Sequence, residues 1–362
     1  MRVRSKRLFA VLVGLTALLL LASLLAVGFY RPTVPQDTPP AFLAEADLPP
    51  VSGRTSHIYH FLVVGRDRAS ASTDVMALCA FDTDSERITV LQLPRDTLVR
   101  HDGVPKKLNA VFATEKARAG GDDLAAMHRL SDMLSESLCV AIDYRVLIYL
   151  DGFVSLVDAI GGVPMDVPFD MDYDDPSQNL HIHLQKGKQT LSGKDAESFV
   201  RYRKGNHGEG YKMGDLERLE AQKKFGAATL RAVRAGVTVR DLPELARTAL
   251  DAVRSDLSLS DTVFFAKHAL RVTDNAVSLV TLPGRVAENY YVLNRKETLR
   301  LLNEFFNVYD VDIPAPSFDK NEIFNLPTNK TIHARYHGSI PPPPIFSASE
   351  LGVQKDTKTE RT

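Results

Sequence analysis

The sequence predicts an α/β layered domain that follows a single membrane-spanning helix. Short apolar runs rich in Val, Ile, Leu and Phe alternate with segments of helical periodicity, which is typical of α/β layers. Of the 362 residues, 44% are apolar and 25% are charged, a composition that supports a sizeable folded core. A run of 23 residues without a charged side chain lies near the start of the chain, at residues 8–30.

Residues 8–30 are predicted to anchor the protein in a membrane, because they are long enough to cross a hydrocarbon core of about 30 Å as a helix. A cleavable signal peptide would have a shorter apolar region, and ASLLAVG is a poor cleavage site. Residues 1–7 carry four bases and are expected to stay in the cytoplasm. The expected location is the cell membrane, with a single pass and an extracellular C-terminal domain.

The chain beyond the anchor is predicted to have three parts. Residues 31–56 are rich in proline and suit a stiff extracellular spacer. Residues 57–311 form the folded domain, and residues 312–362, with a four-proline run and a polar end, are expected to be a loosely ordered tail. Without the four bases of residues 1–7, 40 basic residues face 45 acidic ones, which argues against a nucleic-acid partner.

The elements of the folded domain follow from apolar runs and from helical periodicity. Strands are predicted at 59–65, 75–81, 87–93, 142–150 and 275–282, with a turn at DTDSE between the second and third. Helices are predicted at 122–138, 153–162, 193–200, 215–235, 241–255, 260–270 and 295–307. The two cysteines, Cys79 and Cys139, lie in apolar runs and are expected to be buried thiols, with a disulfide as the alternative in an exported chain.

Charged residues are predicted to meet at one end of the first hairpin. The strands at 75–81 and 87–93 are antiparallel, so Asp74, before the first, lies at the same end as Arg95 and Asp96, after the second. The strand at 59–65 ends in the loop GRDRASAS, which contains Asp67 and leads to the same end. Loops at such sheet ends bind ligands in α/β proteins, although strand-end turns and surface ion pairs would also explain these residues.

The segment RYRKGNHGEGYKMGDLERLEAQ, at 201–222, adds a second group of cations. Arg201 and Arg203 alternate, and Arg218 and Gln222 lie one turn apart on the buried side of a helix that starts near Asp215. A buried arginine needs an anionic partner, from the protein or from a ligand. Guanidinium groups aimed at one place suit a diphosphate, and paired carboxylates beside them suit a hard cation such as Mg²⁺.

Five motifs follow one another along the chain: SASTDVMALCAFDTDSERITVLQLPRDTLV, KKLNAVF, IDYRVLIYLDGFVSLVDAIGGVPMDVP, LSGKDAESFVRYR and GDLERLEAQ. In their order and in most of their spacing, they resemble the motifs of the LytR-CpsA-Psr family. The resemblance covers residues 59–310. It implies an α/β/α sandwich with a central mixed sheet and a pocket for a polyprenyl chain. It also implies a phosphotransferase that moves a glycopolymer from an undecaprenyl-diphosphate carrier to peptidoglycan.

The resemblance also implies roles for individual residues. Asp67 and Asp74 match the Mg²⁺-associated carboxylates of the family. Arg95 matches a pyrophosphate-binding arginine that catalysis requires, and Asp96 matches the acid of the same motif. For binding of the diphosphate, the matching residues are Arg201, Arg203, Arg218 and Gln222. Our mechanistic hypothesis leaves an alternative role open for one of the two aspartates: Asp74 or Asp67, if not fully engaged with the metal, would instead help to deprotonate the acceptor hydroxyl.

The chain departs from the family pattern at Ala221, where many members have an arginine, and in a longer, glycine-rich loop between Arg203 and Asp215. A non-catalytic envelope regulator that binds polyprenyl phosphate, and a polyprenyl-diphosphate hydrolase, are the alternative functions. The sequence contains no G-x-S-x-G motif, P-loop or zinc spacing. His181 and His183 share one face of a strand, but no third ligand is near them in the sequence, so no metal site is predicted there.

Overall fold

The computed structural model describes residues 32, 54–66, 73, 75–102, 104–176, 180–202, 204–206, 208, 210–211, 215–236, 242–287, 289–313 and 346–347, without the side chains of residues 215–220, 222, 223, 242, 243, 274, 346 and 347. The predicted anchor at 8–30, and most of the predicted spacer and tail, lie outside these residues. None of the helices described is both long enough and apolar enough to cross a membrane.

The strands, in chain order, are β1 (Ile58–Arg66), β2 (Val75–Asp82), β3 (Arg87–Leu93), β4 (Leu98–His101), β5 (Val104–Lys107), β6 (Tyr144–Tyr149), β7 (Val163–Val167), β8 (Met171–Asp175), β9 (Leu180–Leu184), β10 (Gly187–Leu191), β11 (Val253–Ser255), β12 (Val277–Thr281), β13 (Gly284–Ala287), β14 (Tyr290–Leu293) and β15 (Phe346–Ser347). The helices are α1 (Leu108–Arg118), α2 (Asp123–Leu138), α3 (Leu150–Ala159), α4 (Gly193–Arg201), α5 (Asp215–Gly236), α6 (Leu242–Ala252), α7 (Leu259–Ala269) and α8 (Arg295–Phe305).

A mixed sheet of seven strands, in the order β11-β6-β1-β2-β3-β12-β15, forms the centre of the domain. Strands β6, β1, β3 and β12 run in one direction, and β11, β2 and β15 run against them. The predicted strands at 59–65, 75–81 and 87–93 are confirmed to within a residue. They are buried on both faces, which is why they appear in the sequence as almost continuous apolar runs.

Helices cover both faces of the sheet, in agreement with the predicted α/β/α arrangement. On one face, α3, α4, α5, α6 and α7 pack against side chains such as Phe61, Val63 and Ala77. On the other face, α1, α2 and α8 pack against Leu62, Val64 and Met76. Successive residues of β1 thus belong to different cores, because side chains alternate across a strand.

The two cysteines lie in different cores. Cys79 is buried on the α3–α7 face, and Cys139 on the α1–α2 face. The sheet separates the two thiols, so they do not form a disulfide with each other. The prediction of buried thiols is confirmed.

Two parts of the element prediction need correction. The helix predicted at 241–255 ends at Ala252, because Val253–Ser255 leaves it to form the edge strand β11 beside β6. Helix α1 was not predicted, and neither were eight short strands that pair as four small sheets, β4 with β5, β7 with β10, β8 with β9 and β13 with β14. Strands β7 to β10 have only five residues each, and the second and fourth residue of each is exposed, so their apolar signal is weak.

Candidate functional site

The carboxyl ends of four strands meet at one edge of the central sheet. Arg66, the last residue of β1, pairs with Tyr149, the last residue of β6. Gly65 pairs with Val75, where β2 begins, and Leu93 at the end of β3 pairs with Met76. We call this edge the rim and define it by Arg66, Val75, Leu93, Tyr149 and Thr281, the last residue of β12. The predicted meeting of these strand ends is confirmed.

Two cations converge on the carboxylate of Asp96 just beyond the rim. Lys107 Nζ lies 3.0 Å from Asp96 Oδ1, and Arg95 Nε lies 3.8 Å from Asp96 Oδ2. The Arg95 side chain is 17% exposed, so its charge is partly shielded from water. Lys107 Nζ also faces the ring of Tyr290 at 5.8 Å. Arg95 and Lys107 thus both lie within ion-pair distance of the Asp96 carboxylate, and Lys107 is the closer of the two.

Lys107 was missed by the sequence analysis, although it lies inside the quoted motif KKLNAVF. It ends β5, which pairs with β4 so that Leu98 and Lys107 are opposite each other. This small hairpin returns the chain to the PRD turn after a detour of about ten residues. The signal that would have found Lys107 is the pattern of a cation directly before a helix, twelve residues beyond the strand-end arginine Arg95.

Backbone hydrogen bonds tie the start of β2 to the turn that carries Arg95. Thr73 N donates to Asn109 O at 3.2 Å, and Asn109 N donates to Arg95 O at 2.9 Å. Thr73 is fully buried. Asp74 itself lies outside the described residues, but both of its chain neighbours, Thr73 and Val75, are at the rim.

Arg66 is a third cation at the rim, on the face covered by α1 and α2. Its side chain is 6% exposed, and its guanidinium carbon lies 5.2 Å from the ring centre of Phe112 and 6.0 Å from that of Tyr149. Cation–π contacts of this kind stabilise a desolvated guanidinium. Asp67, the next residue, lies outside the described residues.

A carboxylate next to this arginine is held in its charged form. Tyr149 Oη donates to Asp123 Oδ2 at 2.5 Å, and Lys116 Nζ lies 2.5 Å from Asp123 Oδ1. Burial raises the pKa of Asp123, but these two hydrogen bonds and the charges of Lys116 and Arg66 outweigh it, so the pKa is lowered. Burial, together with Asp123, raises the pKa of the Tyr149 hydroxyl. No sequence motif marks this cluster, since its members come from α1, α2 and β6.

Arg201 ends α4 and has a protein partner. Its Nη1 donates to Glu197 Oε1 at 2.6 Å, and the side chains of the two residues are 12% and 8% exposed. Lys194 Nζ reaches the other oxygen of Glu197 at 2.9 Å. A nearly buried carboxylate thus holds Arg201 in position. Arg203 lies outside the described residues.

Helix α5 runs from the rim half of the domain toward the opposite edge of the sheet. Phe225 lies 6.2 Å, between ring centres, from Phe153, which follows Tyr149 of the rim by four residues. Farther along α5, Arg234 Nη1 donates to Val272 O at 2.9 Å. Val272 follows Arg271, which pairs with Glu86 in the β2–β3 turn at the far edge.

Arg218 and Gln222 come before Phe225, so their backbone lies in the rim half of α5. Their side chains are not described. Nearby side chains show that this helix has a buried and an exposed side, because Ala221 and Phe225 are buried, whereas Lys224 and Arg231 are exposed.

The structure therefore brings Arg95, Asp96 and Lys107 together at the rim, with Thr73 and Arg66 beside them. It places Arg201 on α4, whose Phe199 contacts Phe225 at 6.0 Å between ring centres. The roles assigned to Asp67, Asp74, Arg203, Arg218 and Gln222 remain predictions. The rim offers the forked guanidinium group of Arg95 and the compact ammonium group of Lys107, and both suit the binding of an anion such as a phosphate.

Comparison with known proteins gives relatives over most of this domain. The teichoic acid transferase TagV of Bacillus subtilis, whose full name is polyisoprenyl-teichoic acid–peptidoglycan teichoic acid transferase, is 24% identical over 217 residues, covering 59% of this chain and 52% of TagV. The cell wall biosynthesis protein LcpA of Corynebacterium glutamicum is 26% identical, covering 60% of this chain and 44% of LcpA. The chain thus spans about half the length of these curated relatives.

Solved structures share the fold. The crystal structure of B. subtilis TagV superposes with a TM-score of 0.54 at 20% identity, covering 69% of this chain and 97% of TagV. A structure described as a transcriptional regulator, EF0465 of Enterococcus faecalis, gives 0.55 at 20% identity, covering 73% and 92%. The model of the LytR_cpsA_psr family matches residues 44–307, which is more than half of the chain. The chain belongs to the LytR-CpsA-Psr family.

Proposed function

We propose that this protein is a membrane-anchored phosphotransferase that moves a glycopolymer from an undecaprenyl-diphosphate carrier to peptidoglycan. The observation that carries the proposal is the pair of cations, Arg95 and Lys107, held around Asp96 at the rim. A diphosphate brings more negative charge than the single carboxylate of Asp96 and would recruit both cations.

The relatives support the chemical class of the substrates. The full name of TagV describes transfer of teichoic acid from a polyisoprenyl carrier to peptidoglycan, and TagU of Halalkalibacterium halodurans, 25% identical over 239 residues, has the same full name. These names describe the relatives. Their extension to this chain is part of the proposal, supported by the family membership and by the rim cations.

The proposed reaction breaks one P–O bond and forms another. A hydroxyl oxygen of peptidoglycan attacks the phosphorus that carries the glycopolymer. The bond from this phosphorus to the bridging oxygen breaks, and undecaprenyl phosphate leaves with the electron pair. Arg95 and Lys107 stabilise the charge that grows on the leaving phosphate, which is usually the largest contribution to catalysis of phosphoryl transfer. The hydroxyl proton passes to whichever of Asp67 and Asp74 is not fully engaged with the metal.

We propose Mg²⁺ as the cofactor, held by Asp67 and Asp74. The carboxylates are the hard oxygen donors that Mg²⁺ prefers, and the chain neighbours Arg66, Thr73 and Val75 all lie at the rim. When bound, the ion would neutralise charge on the diphosphate. Residues 8–30 would hold the domain at the outer face of the membrane, where a polyprenyl carrier and peptidoglycan are both accessible.

Replacement of Arg95 tests the proposed site. Arg95→Ala should lower the rate of transfer from a polyprenyl-diphosphate-linked donor at least about 100-fold, because it removes a cation that stabilises the transition state. The measurement is release of polyprenyl phosphate together with attachment of the glycopolymer to peptidoglycan. Arg300→Ala is the matched control, since Arg300 is 55% exposed on α8 and pairs only with Glu297 and Glu304 among the described residues.

The outcomes separate the proposed function from its alternatives. Full activity of Arg95→Ala, with an unchanged circular dichroism spectrum, would remove Arg95 from the mechanism. A wild-type protein that binds the donor with Mg²⁺ but neither transfers nor hydrolyses it would be a non-catalytic binder. Release of polyprenyl phosphate without attachment to peptidoglycan would identify a hydrolase.

A further inference from the structure

Strands β8 and β9 form a two-stranded ribbon with one apolar and one polar face. Met171, Leu180, Ile182 and Leu184 are buried in the core on the α3–α7 face of the sheet. The alternate residues point outward, and the antiparallel register sets Asp172 opposite His183 and Asp174 opposite His181. Two carboxylates and two imidazoles therefore form a square on the exposed face of the ribbon.

Three of these side chains converge on one point. Asp174 Oδ1 lies 2.5 Å from His181 Nδ1 and 3.5 Å from His183 Nε2. One ligand atom from each of the three residues lies within 4.8 Å of the others. The third ligand, which appeared to be absent near HIH in the sequence, is supplied by the neighbouring strand seven residues earlier.

Asp172 holds one of the imidazoles in a defined orientation. Its Oδ1 lies 2.5 Å from Nδ1 of His183, so Nδ1 donates and Nε2 is left to face Asp174. Metal-binding histidines in proteins commonly donate their second nitrogen to a carboxylate in this way, which fixes the tautomer and makes the ligand nitrogen more basic.

We propose that the β8–β9 ribbon binds one divalent transition-metal ion of the Zn²⁺ class through Asp174, His181 and His183, with Asp172 as a positioning residue. Imidazole and carboxylate ligands suit Zn²⁺, and three protein ligands leave a position for water. In a tetrahedral site with bonds of about 2.0 Å, ligand atoms lie about 3.3 Å apart. Because all three side chains are at least 47% exposed, small rotations can bring them to this spacing.

The ribbon is also connected to the segment that follows Arg201. Asn206 Oδ1 accepts from Asp174 N at 2.7 Å, and Asn206 Nδ2 donates to Asp174 O at 2.9 Å. An ion bound by the Asp174 side chain therefore fixes the residue to which this segment is attached. The imidazole ligands distinguish the ribbon site from the proposed Mg²⁺ site at the rim, because Mg²⁺ prefers oxygen ligands.

The test is a titration with Zn²⁺ of the untagged full-length chain, which is kept in detergent with excess Mg²⁺. Competition against a chromophoric zinc chelator measures the affinity. We expect one equivalent to bind with micromolar affinity. His181→Ala, His183→Ala and Asp174→Ala should each weaken this affinity at least about tenfold. His128→Ala is the matched control, because His128 is 45% exposed on α2 and should leave the affinity unchanged.

A second measurement separates coordination from a structural effect. Co²⁺ in place of Zn²⁺ should give visible absorption bands whose intensity reports the coordination geometry. Asp172→Asn should weaken Co²⁺ binding while the bands remain, since Asp172 orients His183 without touching the ion. The double variant Asp67→Asn/Asp74→Asn should keep the bound equivalent of Zn²⁺ and lose transfer activity. Equal Zn²⁺ affinity in the wild type and in His181→Ala/His183→Ala would overturn the proposal.

Discussion

Two buried acidic side chains among those described, Glu115 and Asp143, are balanced by cations within hydrogen-bond distance. Glu115, only 3% exposed, accepts from His101 at 2.7 Å and from Arg118 at 2.8 Å. Burial raises its pKa, but these partners outweigh burial, so the pKa is lowered. Arg54 and Asp143 form a bidentate ion pair that is 9% and 4% exposed. Removing one member of such a pair leaves the other as a buried charge, which costs several kcal/mol.

His60 is buried in its neutral form. Its Nδ1 donates to Ala141 O at 2.7 Å, whereas Nε2 has no hydrogen-bond partner among the described residues. The imidazole ring lies 5.6 Å, between ring centres, from that of Phe306. Burial lowers the pKa of His60 to about 4, and the charge of Asp143 only partly opposes this shift. A proton on Nε2 would place a charge in an apolar core.

This shift predicts how stability depends on pH. Between pH 6.5 and about 4, the unfolded chain binds a proton at His60 and the folded protein does not, so acidification lowers the free energy of unfolding. The loss is on the order of 2 to 3 kcal/mol across this window. In His60→Asn, where the amide nitrogen replaces Nδ1, this part of the pH dependence should disappear. Urea denaturation of both proteins at several pH values measures it; identical slopes would contradict the assignment.

At the scale of elements, two glycines allow three helices to touch on one face of the sheet. A Cβ atom on Gly193 of α4 would lie 2.2 Å from Val154 O of α3, and one on Gly152 of α3 would lie 2.0 Å from Ala252 O of α6. Gly193 N also donates to Asp158 Oδ1 at 2.6 Å. Because the neighbouring atoms are backbone, they cannot rotate away from a methyl group.

Gly193→Ala should therefore destabilise the domain by about 2 kcal/mol or more, since overpacking against backbone forces α4 away from α3. It should also lower transfer activity, because α4 carries Arg201. Gly236→Ala is the matched control: a Cβ there meets nothing within 4 Å. Urea denaturation gives both values. A Gly193→Ala protein as stable as Gly236→Ala would show that the two helices can separate freely.

For the whole molecule, the layered domain has two cores separated by a sheet whose rim carries the proposed site. The ion pair of Arg54 with Asp143 and the hydrogen bond from Thr55 N to Val308 O, at 2.8 Å, attach the start of the folded domain to the sheet and to the segment after α8. The chain before Arg54 thus leaves from a rigid point of the domain.

The proposed membrane attachment through residues 8–30 predicts a specific fractionation result. The full-length chain should sediment with membranes and require detergent for release, because transfer of 23 uncharged residues out of lipid is strongly unfavourable. A variant lacking residues 1–30 should stay in the supernatant, and a variant lacking residues 348–362 should behave like the full chain. Protease added to intact cells should digest the domain. Recovery of the full chain in the supernatant would contradict the anchor.

The predictions that succeeded depend on local pattern. Continuous apolar runs predicted β1, β2 and β3, and the antiparallel hairpin was enough to place Arg95 and Asp96 at the same end as the start of β2. In each case the information lies within about twenty residues of chain. Alternation and turn length alone determine which end of a hairpin a residue occupies.

Contacts between segments that are far apart in the chain could not be predicted from local sequence patterns. Lys107 reaches Asp96 only because β4 and β5 turn the chain back, and Tyr149 meets Asp123 only because β6 lies under α2. Asp174 meets His181 and His183 only because β8 pairs with β9. A polar strand of five residues gives no clear sequence signal for such pairing.

The sequence by itself determined the α/β class, the central strands and the edge of the sheet where the proposed site lies, because apolar periodicity is a property of neighbouring residues. Only the tertiary structure decided which charges meet there and which histidines find a carboxylate. Those pairings depend on the register and packing of elements far apart in the chain, and the free energy that sets them comes from burial of whole faces.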